Sequence, residues 1–270
     1  MTLSSHAAFL RTHARAVLVT ITVAKGSTPR EAGAIMLVAR QATLGTIGGG
    51  QLEYLAIAKA RAMLDHGEDK SEMQVPLGPE IGQCCGGHVT LSLCLLTPER
   101  QEAFEQQQIA SQNTRAAICV FGAGHVGFAL VKALAPLPFQ VTLIDTRDMV
   151  EEDLPSGISF QQSAMPEAHV AQIAPGGACV IVTHDHALDF LIAREALARS
   201  DLSYVGMIGS SSKRATFAHW LAREGADPTH FTRLTMPIGK SDVRDKRPAV
   251  IAALVAAELL QRLLTPSANP

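Results

Sequence analysis

Cys84 and Cys85 are adjacent thiols in Leu77-Gly78-Pro79-Glu80-Ile81-Gly82-Gln83-Cys84-Cys85-Gly86-Gly87. A structural cysteine belongs within core periodicity, whereas this pair sits in a glycine-flanked loop just before a strand. Glycines let a ligand approach the backbone while the sulfur stays accessible. A thiolate that touches a cofactor or handles sulfur is one reading. A structural or inert pair is the other. A vicinal disulfide is strained, and zinc needs two further ligands at better spacing. Cys94, Cys119 and Cys179 fall in strands and read as core.

Three segments offer backbone N–H groups to an anion. Gly122-Ala123-Gly124-His125-Val126-Gly127 lies between an apolar strand and an apolar helix. Gly122 permits the tight turn, Gly124 lets N–H groups approach a phosphate, and Gly127 lets helix and strand pack closely. Asp145 ends the next strand, 23 residues past Gly122, where an acid bonds a ribose hydroxyl. The alternative is a Rossmann fold that binds nothing here. His125 faces either a phosphate or solvent. Arg147 either meets a 2′-phosphate or is a surface charge. Gly45-Thr46-Ile47-Gly48-Gly49-Gly50 precedes a helix and is a second candidate; a packing turn is its alternative. One helix terminus supplies only about 0.3–1 kcal/mol, and micromolar binding needs about 8. Arg30 or Lys25 must therefore join Gly48, Gly49 and Gly50. The third segment is Gly209-Ser210-Ser211-Ser212-Lys213-Arg214, where Lys213 suits an anion unless Ser210 is an ordinary N-cap.

Thr183-His184-Asp185-His186 follows a strand, and ligands bind outside the carboxyl ends of such strands. Ligand contact by His184 is favoured over metal, because two imidazoles two residues apart do not complete a site.

The elements that must position these residues form two groups. A helix over 4–15, strands at 17–23, 34–38 and 89–95, and a helix after Gly50 make a smaller N-terminal α+β domain over 1–97. Residues 98–115 are polar and Gln-rich and read as a linker, in part helical. From 116 to 270, strands at 116–121, 140–145, 178–183 and 203–208 alternate with helices at 125–135, 187–199, 211–224 and 247–264. That alternation predicts an α/β Rossmann-type doubly wound parallel sheet. Hydrophobic residues make up 47% of the 270, enough for a core, while aromatics are only 4%. Small and β-branched side chains therefore build it, as buried parallel sheets require.

The net charge of −2 and the lack of a long basic run argue against a nucleic-acid partner. The longest apolar run, 249–257, is too short to span a bilayer, so no membrane partner is expected. Residues 1–10 have no charged segment ahead of an apolar stretch and are not expected to be a signal peptide. Five cysteines, an odd number, do not form a disulfide framework. A cytoplasmic protein with reduced thiols is the expectation.

Several motifs coincide with those of one family. Gly26-Ser27-Thr28-Pro29-Arg30, Gly45 to Glu53 and Gly82-Gln83-Cys84-Cys85-Gly86-Gly87 resemble the N-terminal domain of the XdhC/CoxI family. Phe121 to Gly127, Thr183 to His186, Gly206-Met207-Ile208-Gly209-Ser210 and Pro237-Ile238-Gly239 resemble its Rossmann half. After Gly239 the chain departs from the family pattern with Lys240-Ser241-Asp242-Val243-Arg244-Asp245. The resemblance implies a chaperone that binds molybdenum cofactor (molybdopterin) and protects it. It also implies help with sulfuration by a cysteine desulfurase, and delivery to the molybdenum subunit of apo-xanthine dehydrogenase. By the same resemblance, Cys85 matches the family's Cys-Gly-Gly cysteine and contacts molybdenum or sulfur, with Cys84 secondary. The Gly122 turn then holds part of the pterin cofactor or a nucleotide attached to it. A homodimer is a further candidate assembly. The competing expectations are an NAD(P)-dependent oxidoreductase, whose hydride-transfer acid or base is not evident beyond His184, and a nucleotide-sensing module without chemistry.

Overall fold

The computed structural model describes residues 3–78, 86–148, 154–225 and 227–265. The chain divides into two compact units, Met1–Ala110 and Ser111–Pro270.

In the first unit, helix α1 (Leu3–Thr12) precedes strand β1 (Val17–Lys25). Strands β2 (Ile35–Val38) and β3 (Thr43–Gly45) follow, then helix α2 (Gly50–His66). Strands β4 (Lys70–Pro76) and β5 (His88–Leu95) complete the antiparallel sheet, in the order β3-β2-β1-β5-β4. Alternation decides its faces. Val17, Val19 and Ile21 of β1 and Val89, Leu91 and Leu93 of β5 point to one face. There Leu52, Ala56, Ala60 and Met63 of α2 cover them. A register shift between Ile21 and Val23 bends β1. On the opposite face Leu10, Ala16, Leu37, Leu96 and Phe104 form a second cluster.

Phe104 belongs to helix α3 (Pro98–Asn113), which occupies nearly all of the expected linker. One buried aromatic anchors this helix, so it needs no apolar stripe. Strand β4 was not expected. Its burial is confined mainly to Val75, as befits an edge strand with polar side chains outward.

The second unit is a parallel α/β sheet. Its strands are β6 (Ala116–Phe121), β7 (Phe139–Asp145), β8 (Ile158–Gln162), β9 (Ala178–Ile181), β10 (Tyr204–Met207) and β11 (Leu234–Thr235). They lie in the order β11-β10-β9-β6-β7-β8, and every pairing is parallel. This is the doubly wound order, with β6 and β9 adjacent at the point where the winding reverses. Helices α4 (His125–Leu134) and α8 (Pro248–Leu264) pack into one core cluster. Helices α5 (His186–Ala198) and α6 (Ser211–Arg223) pack into the other. A short helix α7 (Pro228–Thr232) precedes β11, and a 3₁₀ helix, Pro166–Gln172, joins β8 to β9. Strands β9 and β10 are buried at every residue, which is why they read as unbroken apolar runs.

Candidate functional site

The carboxyl ends of β6, β7 and β9 frame a cavity of about 700 Å³. Its lining includes Gly122, Ala123, Gly124, His125 and Val126 from the β6–α4 turn, with Phe128 from α4. Arg147 enters from beyond β7, Val182, Thr183 and His184 from beyond β9, and Ile208 from beyond β10. This volume falls within the range of cofactor and small-ligand sites.

The glycines hold the turn by close approach. A side chain at Gly127 would place its Cβ 1.8 Å from the Gly122 carbonyl oxygen. At Gly122, with φ +112°, it would meet the Val182 carbonyl oxygen at 2.7 Å. Nothing lies within 4 Å of a Cβ at Gly124, so that position opens toward the cavity. Gly124 is the N-cap of α4 and supplies no side-chain hydrogen bond. The first N–H groups of a helix have no intrahelical partner, and the dipole favours an anion there. His125 opens α4 and is exposed.

Asp145 ends β7 as expected, but it is 5% exposed and already engaged. Ala123 donates its N–H to Asp145 Oδ2 at 2.6 Å. Arg147 donates its backbone N–H to Oδ1 at 2.9 Å, and Nε and Nη2 to the two oxygens at 3.0 Å each. Burial works against the charged carboxylate, but the Arg147 bonds and the Ala123 N–H outweigh it and hold its pKa down at about 2. Arg147 is thus fixed in position by Asp145. Its guanidinium is paired with Asp145, and the residue lines the cavity.

Lys213 is placed differently from its expected role. Its side chain is 9% exposed, and its ammonium pairs with Asp189, which is fully buried. The Thr183 hydroxyl donates to the other Asp189 oxygen at 2.6 Å, and Lys213 also reaches the Ile208 carbonyl at 3.2 Å. Ser210 caps α6 by accepting the Lys213 N–H. The Ser-rich segment therefore carries an ordinary cap and an internal ion pair. His184 lines the cavity, whereas His186 opens α5 on the exposed surface. Asp185 is the N-cap of α5, accepting from Ala187 and Leu188.

In the first unit the glycine loops meet one another. A Cβ at Gly48 would lie 2.4 Å from Pro29, with Arg30 beside it. A Cβ at Gly87 would lie 2.2 Å from the Ser27 carbonyl oxygen. Gly48 and Gly49 have positive φ, and Ile47 and Gly49 donate their N–H groups to Glu53 Oε1 at 2.9 Å each. Thr46 donates its hydroxyl to the same oxygen, and Gly48 N–H reaches Thr46 Oγ1 at 3.1 Å. Burial opposes the Glu53 charge, yet the bonds from Thr46, Gly49 and Ile47 prevail and lower its pKa. An external anion at Gly48, Gly49 and Gly50 would have to displace this carboxylate. Cys84 and Cys85 lie outside the described residues; the described chain resumes at Gly86, whose N–H donates to the Leu77 carbonyl.

Sequence reasoning gave no role to Glu53 or Asp189. An acid in the first turn of a helix, after a glycine run, is a signal for the former. For Asp189 the signal is an acid four residues after the Asp185 cap, on a helix that otherwise faces the core. Among the described residues, no group of three His, Cys, Asp or Glu side chains is arranged to hold a metal ion. Among them also, no helix is long and apolar enough to cross a membrane.

The chain matches the family profile of the XdhC Rossmann domain over residues 118–259. It matches that of the XdhC and CoxI family over residues 9–75. The uncharacterized protein YqeB of Escherichia coli (strain K12) is 26% identical over 244 residues, 88% of this chain. The aligned region is 41% of YqeB, so this chain spans about two-fifths of that relative's length. A solved structure described as a xanthine dehydrogenase from Bacillus halodurans superposes with a TM-score of 0.80 at 17% identity, covering 99% of this chain and 98% of that one. That likeness shares the fold.

Proposed function

This chain belongs to the XdhC and CoxI family, and on that premise we propose that it is an accessory factor in the maturation of xanthine dehydrogenase-type enzymes. In this reading it binds molybdenum cofactor, shields it, assists its sulfuration by a cysteine desulfurase, and passes it to the apo-enzyme. The observation that carries the reading is the joint match of both family profiles, one in each half of the chain.

The residues present suit such a cargo. A pterin phosphate is a dianion, and dianions are held by free N–H groups and guanidinium forks. The uncapped start of α4 and Arg147 supply both in the second unit. In the first unit Arg30 lies beside Gly48 and is exposed. Cys85 is the thiol assigned to molybdenum or sulfur by its match to the family's Cys-Gly-Gly cysteine, and a soft thiolate suits molybdenum or a persulfide. The bound group would supply a sulfur-accepting molybdenum centre; the chain would bind, orient and shield it.

The test is to purify the protein from cells that make the cofactor, then release and oxidise any bound pterin and read its fluorescence. Stoichiometric pterin is expected, with much less from Cys85→Ala. Protein that carries no pterin, and that fails to activate apo-xanthine dehydrogenase, would refute the proposal.

A further inference from the structure

A dinucleotide-binding sheet normally presents the carboxylate after its second strand to a ribose diol. Here that carboxylate is spent. Both Asp145 oxygens accept from Arg147, and one also accepts from the Ala123 N–H. Asp145 is not among the residues lining the cavity, whereas Arg147 is, with 57% of its side chain exposed. The wall where a ribose would rest therefore offers a guanidinium, held in place by the carboxylate behind it. Two of the guanidinium nitrogens, Nε and Nη2, bind Asp145, which leaves the Nη1 edge to point elsewhere. A second anion-attracting place lines the same cavity, at the Gly124–His125 start of α4.

From this arrangement we infer that the second unit binds a nucleotide whose ribose carries a phosphate, with Arg147 as the residue that reads that phosphate. The backbone phosphates lie at the α4 start and the ribose phosphate at Arg147. A ribose with two free hydroxyls gains less there, because a neutral hydroxyl accepts from the guanidinium without the charge assistance that a phosphate has. Asp145 is a positioning residue: it fixes the guanidinium and the Ala123 N–H together. The inference concerns binding alone and goes beyond the accessory role; it uses the same α4 start and Arg147 that could hold a pterin phosphate, so the pterin readout and the dinucleotide titration are scored separately.

The experiment titrates NADPH and NADH into the full-length protein and follows nicotinamide fluorescence. Competition by 2′,5′-ADP and 5′-AMP removes the nicotinamide half from the comparison. Charge-assisted hydrogen bonds set the expected preference, about 10- to 100-fold for NADPH over NADH and for 2′,5′-ADP over 5′-AMP. Arg147→Ala should erase that preference and raise NADH affinity, since Asp145 is then free to accept from a diol. Arg147→Lys should keep part of the preference, because the charge remains without the fork. A thermal melt of each variant checks that it is folded. Equal binding of the two dinucleotides by the unaltered protein would overturn the inference, as would no binding of either. A preference that survives in folded Arg147→Ala would also overturn it. Loss of pterin retention with the nucleotide preference intact would refute only the accessory reading.

Discussion

Asp189→Ala tests the buried ion pair behind the cavity. Asp189 is fully buried and accepts from both Lys213 and the Thr183 hydroxyl. Its removal leaves the Lys213 ammonium, on a side chain 9% exposed, with the Ile208 carbonyl as its remaining partner among the described residues, and leaves the Thr183 hydroxyl with the Asp185 carbonyl alone. Breaking one side of a buried pair costs about 3–5 kcal/mol. For a unit of this size each kcal/mol lowers the melting temperature by roughly 2–4 °C, so a fall of roughly 6–20 °C is expected. Replacing both partners removes the stranded charge along with the pair. The double variant Asp189→Leu with Lys213→Met should therefore melt close to the parent protein or above it. Thermal melts followed by circular dichroism on the three proteins read this directly. If the single variant melts within about 2 °C of the parent, or the double variant is as unstable as the single, the pair does not act as argued. Lys213 would then have to be reconsidered as a ligand-facing cation.

Two more outcomes follow from the geometry. Gly127→Ala should destabilise the second unit by at least about 1–3 kcal/mol, the usual cost of overpacking, because its Cβ would sit 1.8 Å from the Gly122 carbonyl oxygen. Gly124→Ala has open space and an extended-side φ of −75°, so it should fold normally and lose ligand affinity alone; chemical denaturation beside nucleotide titration separates the two effects. His6 is 4% exposed, rests against Phe104, and neither ring nitrogen has a hydrogen-bond partner. Burial, then the N-terminal charge, lowers its pKa below the ordinary 6.5. The unfolded chain therefore takes up a proton that the folded one resists. Stability from this site is present above pH 6.5 and declines as pH falls below it toward the lowered value. His6→Leu should flatten the stability–pH slope in that window, and an unchanged slope would show that His6 does not set it.

The Rossmann strands and helices were legible because each is long, apolar and periodic. Strands 116–121 and 178–183 and the helix from residue 125 match β6, β9 and α4 to within a few residues. What escaped was marginal in pattern. Strand β8 lies at the sheet's end and buries little of its surface, and β11 is two residues long. Residues 98–115 were expected to be helical only in part, and the full length of α3 escaped because a single aromatic, Phe104, ties the Gln-rich stretch down. The glycine turn was legible as a turn, and its neighbours His125 and His184 do line one cavity. The internal occupancy of the other motifs was not legible. Periodicity shows which face a residue takes, and says nothing of which charge it meets.

That difference has a common physical cause. At each place where glycine or lysine spacing suggested an anion site, a carboxylate of the chain has moved in. Glu53 takes the N–H groups of Ile47 and Gly49, Asp189 takes Lys213, and Asp145 takes Ala123 and Arg147. Donors that converge in a partly buried place are costly to leave unpaired, so a fold that must be stable before its ligand arrives supplies an acceptor of its own. At two of these places an external anion would have to displace the carboxylate. At the third it would not, because Arg147 has more donors than Asp145 uses, and more than half of its side chain stays exposed. The α4 start likewise keeps donors that no side chain caps. Among the described residues, the donors left without an internal carboxylate are thus fewer than the sequence suggested, and those of Arg147 and the α4 start belong to one cavity at the reversal point of the sheet.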